Sequence, residues 1–267
     1  MTPWASGRIA IAALPDYQHA ESAWKSLGLM VAWMIAAVAA AYVVIVLVAF
    51  VVGLHNGLHF PRWRMPAPGV LVLMTGIGMQ ATLLFGAWRR ARALAPDNRA
   101  EGLGFVPVRR YWLLCLLAVL LALYIGCLIL AVVAWRMHLL SVHAALPRPG
   151  MHGSTLLAQF ATAGSVTRIL IVLLTVGVAP LAEECFFRGW LWTALRAHWG
   201  PFAVMLCTSL PWLALHLLDG VTRPLFLIPA AIALSLARHF CGSLRASISL
   251  HAFNNLLATG LVVAATL

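Results

Sequence analysis

The sequence predicts an all-α polytopic membrane protein of about seven transmembrane helices, with a four-helix core in its C-terminal half. Three observations lead there. Hydrophobic residues make up 63% of the chain and charged residues only 9%, with a mean hydropathy of +0.95. A soluble core cannot hide that much apolar surface. The apolar residues also fall into runs of about the ~20 residues that cross a bilayer. Most of the charges lie between those runs.

The elements follow in order. The first ~25 residues, MTPWASGRIAIAALPDYQHAESAWK, do not read as a signal peptide, because Pro15, Asp16 and Glu21 interrupt any apolar h-region. Insertion then rests on the first spanning run, at 27–53, followed by runs at 69–88 and 112–135. The stretch 136–167, with Pro147, Pro149 and several glycines, separates these three from runs at 169–198, 201–219, 224–240 and 244–266. The run at 169–198 is too long for one span and contains Pro180, so a kink or break is expected near there. The run at 224–240 is short and holds Pro229. We read one membrane domain over 1–267: accessory helices in 1–135, a connecting loop in 136–167 and the core in 168–267. No internal repeat is visible.

The net charge is +11, from 18 Lys and Arg against 7 Asp and Glu. Cytoplasmic loops collect Lys and Arg. The 89–111 loop holds Arg89, Arg90, Arg92, Arg99, Arg109 and Arg110. Placing it in the cytoplasm puts the N-terminus inside, with 12 of the 18 positive charges on that side. Short soluble loops without organellar signals fit a bacterial inner membrane. No basic stripe with interleaved aromatics stands on a soluble domain, which argues against a nucleic-acid partner. The partners expected are membrane lipid and a membrane-borne substrate. The five cysteines, Cys115, Cys127, Cys185, Cys207 and Cys241, form no C-x-x-C pair and read as buried small hydrophobes.

Ionisable residues divide the chain. The first three spans contain almost none, whereas the last four hold Glu183, Glu184, Arg188, His216, His251 and, beside them, Asn255. A charge at mid-membrane costs ~2.5–3.5 kcal/mol on insertion scales and marks function by default. Glu183 and Glu184 are the only acids inside an apolar run. Neighbours on a helix point ~100° apart, so the two need not share an environment. Glu184 and Arg188 stand at i, i+4 with the acid first, the favourable order for an ion pair. We therefore expect Arg188 to hold Glu184 while Glu183 faces a polar cavity. On that view, exchanging the two charges preserves folding better than either single change.

Spacing adds a partner for Glu183. It lies 16 residues before Trp199, and His216 lies 16 after Gly200. Two antiparallel helices joined near Gly200–Pro201 set Glu183 and His216 at one level, unless a kink at Pro211 shifts them by a turn. Depth brings a conflict: Glu183 is ~22 Å from the start of its run, but His216 lies close to the opposite turn at 219–223. Either a helix bends or the hairpin around Gly200 projects past the bilayer. In the last run, His251 and Asn255 stand at i, i+4 and share a face. Ser209, Ser235 and Ser247 read as small polar residues that assist helix packing.

Three stretches then resemble a known set of motifs: EECFFR fits E-E-x-x-x-R, WLALH fits an aromatic-x-x-x-H pattern, and HAFNN fits H-x-x-x-N. In that order, over about residues 165–266, they resemble the CPBP family of CAAX prenyl proteases and bacteriocin-processing enzymes, also called Abi proteins. Trp212 stands where Phe is usual and keeps an aromatic shelf before His216. The resemblance implies intramembrane peptide-bond hydrolysis. It makes Glu183 the general base, His216 its partner in activating water, Arg188 the holder of Glu184, and His251 with Asn255 the oxyanion site.

Chemistry leaves alternatives. Glu183, His216 and His251 could supply three zinc ligands with water as the fourth. A metal-free glutamate mechanism fits the same residues and is favoured. A proton-coupled transporter would use the acids and histidines as a relay, but the chain lacks a repeat. A non-catalytic scaffold or immunity protein would carry intramembrane charges only as a cost. The substrate is expected to be a peptide or protein, membrane-anchored or prenylated.

Overall fold

The computed structural model describes residues 21–55, 68–95, 98–108, 110–137, 160 and 163–264. The N-terminal segment before Glu21 and most of the 136–167 connection lie outside the described residues. Backbone polar groups in hydrocarbon must be satisfied within the chain, so apolar runs become helices. Among the described residues there is no strand. The long helices are α1 (Ala23–His55), α2 (Pro68–Leu94), α3 (Arg110–Arg136), α4 (Ser165–Arg196), α5 (Pro201–Leu215), α6 (Arg223–Cys241) and α7 (Leu244–Ala264). The first six are long and apolar enough to cross a membrane. The last, with 21 residues, is long enough, but Arg245, His251, Asn254 and Asn255 dilute its apolar character.

Burial is inverted relative to a soluble protein. Large apolar side chains such as Ile35, Val46, Phe50, Leu114, Ile125 and Leu128 are exposed on the outside, while Gln80, Glu183, Glu184, Arg188, His251 and Asn254 are buried. Lipid rather than water meets such an exterior. Cys185 is buried, but Cys115 and Cys127 are exposed on α3. The expectation that all five cysteines are buried is therefore corrected for these two: a small apolar side chain is as well placed against lipid as in a core.

α4 is the central helix, and its residues 182–195 are all buried. It does not break at Pro180. Instead it widens into two π-helical segments, Leu174–Val178 and Cys185–Leu191. Each segment yields a backbone carbonyl to a side chain from another helix. Asn255 Nδ2 on α7 donates to Thr175 O at 2.8 Å, and Arg238 Nε on α6 donates to Arg188 O at 2.8 Å. The first of these has a local cause. Ala179 N–H donates to Leu174 O, five residues back. In that register Thr175 O would take its hydrogen from residue 180, and Pro180 has none to give.

At 32 residues, α4 spans ~48 Å, well beyond the ~30 Å of a hydrocarbon core. A helix of that length leaves room for the Gly200 hairpin to project past the bilayer, one of the two ways out of the depth conflict. Glycines let α2 sit close to its neighbours. A Cβ on Gly76 would come within 2.7 Å of Leu174 on α4, and one on Gly86 within 2.8 Å of Trp33 on α1. After α2, a short turn at Arg99–Gly102 leads into a strap over the α6–α7 turn. There Leu244 N donates to Gly104 O at 2.8 Å and Ser243 Oγ donates to Val106 O. Ser209 and Ser235 hydrogen bond at 2.8 Å between α5 and α6, the packing role expected of them.

Candidate active site

Glu183 and Glu184 leave α4 in different directions and meet different helices. Glu184 turns towards α7. Its Oε1 lies 3.2 Å from Arg188 Nη1 and 3.0 Å from His251 Nδ1, and both Glu184 and Arg188 are 0% exposed. The Arg188 guanidinium also sits 5.0 Å from the centre of the Trp212 ring, a cation–π distance. The expected ion pair is present. His251 joins it, so the pair is not symmetric: exchanging the two charges would turn the ring N–H of His251 onto a guanidinium.

Glu183 faces α2 and α5. Gln80 Nε2 donates to its Oε1 at 2.7 Å, and Trp212 Nε1 donates to its Oε2 at 2.7 Å. Rather than lying free, this carboxylate is 6% exposed and held at both oxygens. His251 Nε2 lies 4.0 Å from Glu183 Oε2. A carboxylate only accepts, so His251 Nδ1 carries the hydrogen given to Glu184 and Nε2 is the ring's other working end. His251 thus bridges the two acids, edge-on to Trp212 at 5.5 Å between ring centres.

The remaining sequence candidates connect at one remove. His216 packs on Trp212 at 4.6 Å between ring centres, and its Nδ1 lies 2.9 Å from Trp212 O. It therefore reaches Glu183 through the indole. The residue hydrogen-bonded to the carboxylate is Trp212, one turn before His216. The π segment Cys185–Leu191 lies between Glu183 and the hairpin; its wider turns advance less per residue, so Glu183 stands closer to the turn than an α-helical count gives. Asn255 commits one amide hydrogen to Thr175 O, and its Oδ1 accepts from Asn254 Nδ2 at 3.1 Å. Asn254 Oδ1 in turn accepts from the Tyr124 hydroxyl at 2.8 Å. This file of hydrogen bonds runs from α3 through α7 to α4.

Gln80, Tyr124, Thr175 and Asn254 were not among the sequence candidates. A search for ionisable groups passes over neutral donors. The available signal was a lone amide, Gln80, in the apolar run of α2.

Zinc would need Glu183, His216 and His251 to turn free lone pairs towards one point. Glu183 already accepts a hydrogen on each oxygen, and His216 gives Nδ1 to a carbonyl. Among the described residues, no group of three or more His, Cys, Asp or Glu is disposed to hold a metal ion.

The site thus gathers two buried carboxylates, one guanidinium, an imidazole that faces both acids, and neutral donors on Glu183. Residues 165–257 match the family model described as type II CAAX prenyl endopeptidase Rce1-like. No curated protein and no solved structure matches the chain. The matched residues run from α4 into α7 and contain the E-E-x-x-x-R, aromatic-x-x-x-H and H-x-x-x-N motifs, so this part of the chain is similar to the Rce1-like model, consistent with the CPBP family.

Proposed function

We propose that this protein is an intramembrane endopeptidase in which Glu183 is the general base. The observation that carries the proposal is the grip on Glu183: one neutral N–H on each carboxylate oxygen at 2.7 Å, with His251 Nε2 4.0 Å away. That gap is too long for a direct hydrogen bond and suits a water that touches both groups. Glu183 takes the proton of that water as it attacks the scissile carbonyl, and returns it to the leaving amine. His251, its ring fixed by Glu184 and Arg188, orients the water through Nε2. This exchanges the roles that the resemblance implies for the two histidines: His216, half-buried beyond Trp212, becomes the proposed donor to the developing oxyanion. Asn255 has one amide hydrogen left for the same task. Donors acting in a dry site are worth ~10²–10³ in rate apiece. The proposed mechanism uses no resident metal: Glu183 supplies the base, and the histidines and Asn255 assist it.

A membrane-anchored or prenylated peptide is the proposed substrate class. The support is an apolar groove of about 640 Å³ between α1 and α5, lined by Met30, Met34, Val38, Pro211 and Leu215. Pro211 and Leu215 flank Trp212 and His216 in sequence. An acyl or isoprenoid chain fits such a lining. The proposed setting is a bacterial inner membrane with the N-terminus in the cytoplasm.

The test is cleavage of a library of membrane-tethered and prenylated peptides by the purified protein in detergent, beside Glu183→Gln. The expected outcome is cleavage by the parent that vanishes in a folded Glu183→Gln. Equal cleavage by both would remove Glu183 from its role. A protein that cleaves nothing while carrying a proton flux would favour the transporter reading.

A further inference from the structure

We infer that Gln80, on the accessory helix α2, is a positioning residue for the Glu183 carboxylate; this rests on the reading of Glu183 as the base. Gln80 lies outside the matched residues 165–257, so the accessory half of the chain completes the site. Three observations carry the inference. The side chain is 4% exposed and sits in an otherwise apolar stretch of α2. Its Nε2 donates to Glu183 Oε1 at 2.7 Å, across 103 residues of sequence. Its Oε1 is buried with no protein partner among the described residues.

The last point separates function from stability. A residue placed only to fill space between α2 and α4 would be apolar, because a buried acceptor without a hydrogen is costly. Gln80 carries that cost and gains one contact, to Glu183. The consequence for the chemistry is geometric. Trp212 holds Oε2 and Gln80 holds Oε1, from helices on two sides of α4. With a donor on each oxygen the carboxylate plane cannot rotate about its Cγ–Cδ bond. The lone pair that takes the proton then keeps its aim at the side where His251 Nε2 stands. With one donor missing the carboxylate can swing, and the pairing of base and imidazole is lost for part of the time. Gly76, one turn earlier on α2, allows Leu174 to approach closely and sets α2 near enough to α4 for an amide to reach.

The experiment uses the full-length protein in detergent with Gln80→Met, which keeps length and removes the donor, and Gln80→Asn, which keeps the amide but shortens its reach. Thermal midpoint, kcat and KM are measured on a peptide that the parent cleaves and Glu183→Gln does not. The expected result is a kcat about 10–100-fold lower in both variants, the loss of one hydrogen bond to a charged group. KM and the thermal midpoint stay close to the parent's. A folded Gln80→Met with unchanged kcat overturns the inference. So does a kcat that falls only in step with the thermal midpoint. If Glu183→Gln itself cleaves, the base assignment has failed, and that result appears before any Gln80 variant is read. A double-variant cycle of Gln80→Met and Glu183→Leu on thermal midpoints reads the contact without substrate: non-additive shifts support the clamp, and additive shifts overturn it.

Discussion

Replacing Arg188 with methionine tests the electrostatic core of the site. Arg188 and Glu184 are both fully buried, and one N–O contact of 3.2 Å joins them. Methionine keeps much of the volume and removes the cation. Glu184 is then left with His251 as its polar partner at 3.0 Å, and the site holds two carboxylates without a guanidinium. Breaking a buried pair from one side costs about 3–5 kcal/mol, because the remaining charge is uncompensated. At about 2–4 °C per kcal/mol for a large domain, the thermal midpoint falls by about 6–20 °C. Intrinsic tryptophan fluorescence during heating in detergent reads this directly, since Trp212 is buried against the Arg188 guanidinium. The double variant Glu184→Gln/Arg188→Met removes both charges, while the Gln carbonyl still accepts from His251. Its midpoint should return to within about 2–4 °C of the parent, as neutral replacement of a buried pair usually does. A single Arg188→Met that melts with the parent would refute the reasoning, and so would a double variant no more stable than the single.

Three further outcomes are expected. Trp212→Phe keeps the ring packing on His216 and His251 but withdraws the donor from Glu183 Oε2. Its kcat should fall about 10–100-fold with little change in melting, and an unchanged kcat would show that the aromatic shelf alone suffices. Asn255→Leu strips Thr175 O of its hydrogen and should cost about 1–3 kcal/mol. Adding Pro180→Ala supplies a backbone N–H near that carbonyl and should recover part of the loss in thermal melts; no recovery would disprove the explanation of the Asn255 contact. Zinc analysis of the purified protein should find less than one metal per chain, with cleavage unaffected by chelation. Stoichiometric zinc together with lost cleavage would defeat the metal-free mechanism.

Much of the fold was legible because bilayer physics writes helices as apolar runs. The runs at 112–135 and 224–240 became Arg110–Arg136 and Arg223–Cys241, moved by a residue or two at each end. The Glu184–Arg188 pair was legible because both partners sit on one helix at fixed spacing. The second polar face was not. Gln80 lies 103 residues from Glu183, and no local pattern links them. Trp212 was read as a shelf because an indole N–H looks apolar on a hydropathy scale. Pro180 signalled an irregularity but not its kind: a proline-induced break and a π widening leave the same mark in sequence. The residue hydrogen-bonded to Glu183 is Trp212, one turn before the His216 that the spacing set level with it.

The pairing of Glu184 with Arg188 inside one helix also bears on how the protein is made. In N-to-C order of insertion α4 enters the membrane ahead of α5 to α7, with two acids and a base, Glu183, Glu184 and Arg188, in its interior. An intrahelical pair lets acid and cation cross the translocon as a near-neutral couple. The leftover charge, on Glu183, meets Gln80 on a helix translated earlier. Insertion thus needs no partner from the still-ribosomal remainder of the chain, and Trp212 and His251 arrive afterwards to complete a site whose most expensive members are already in place.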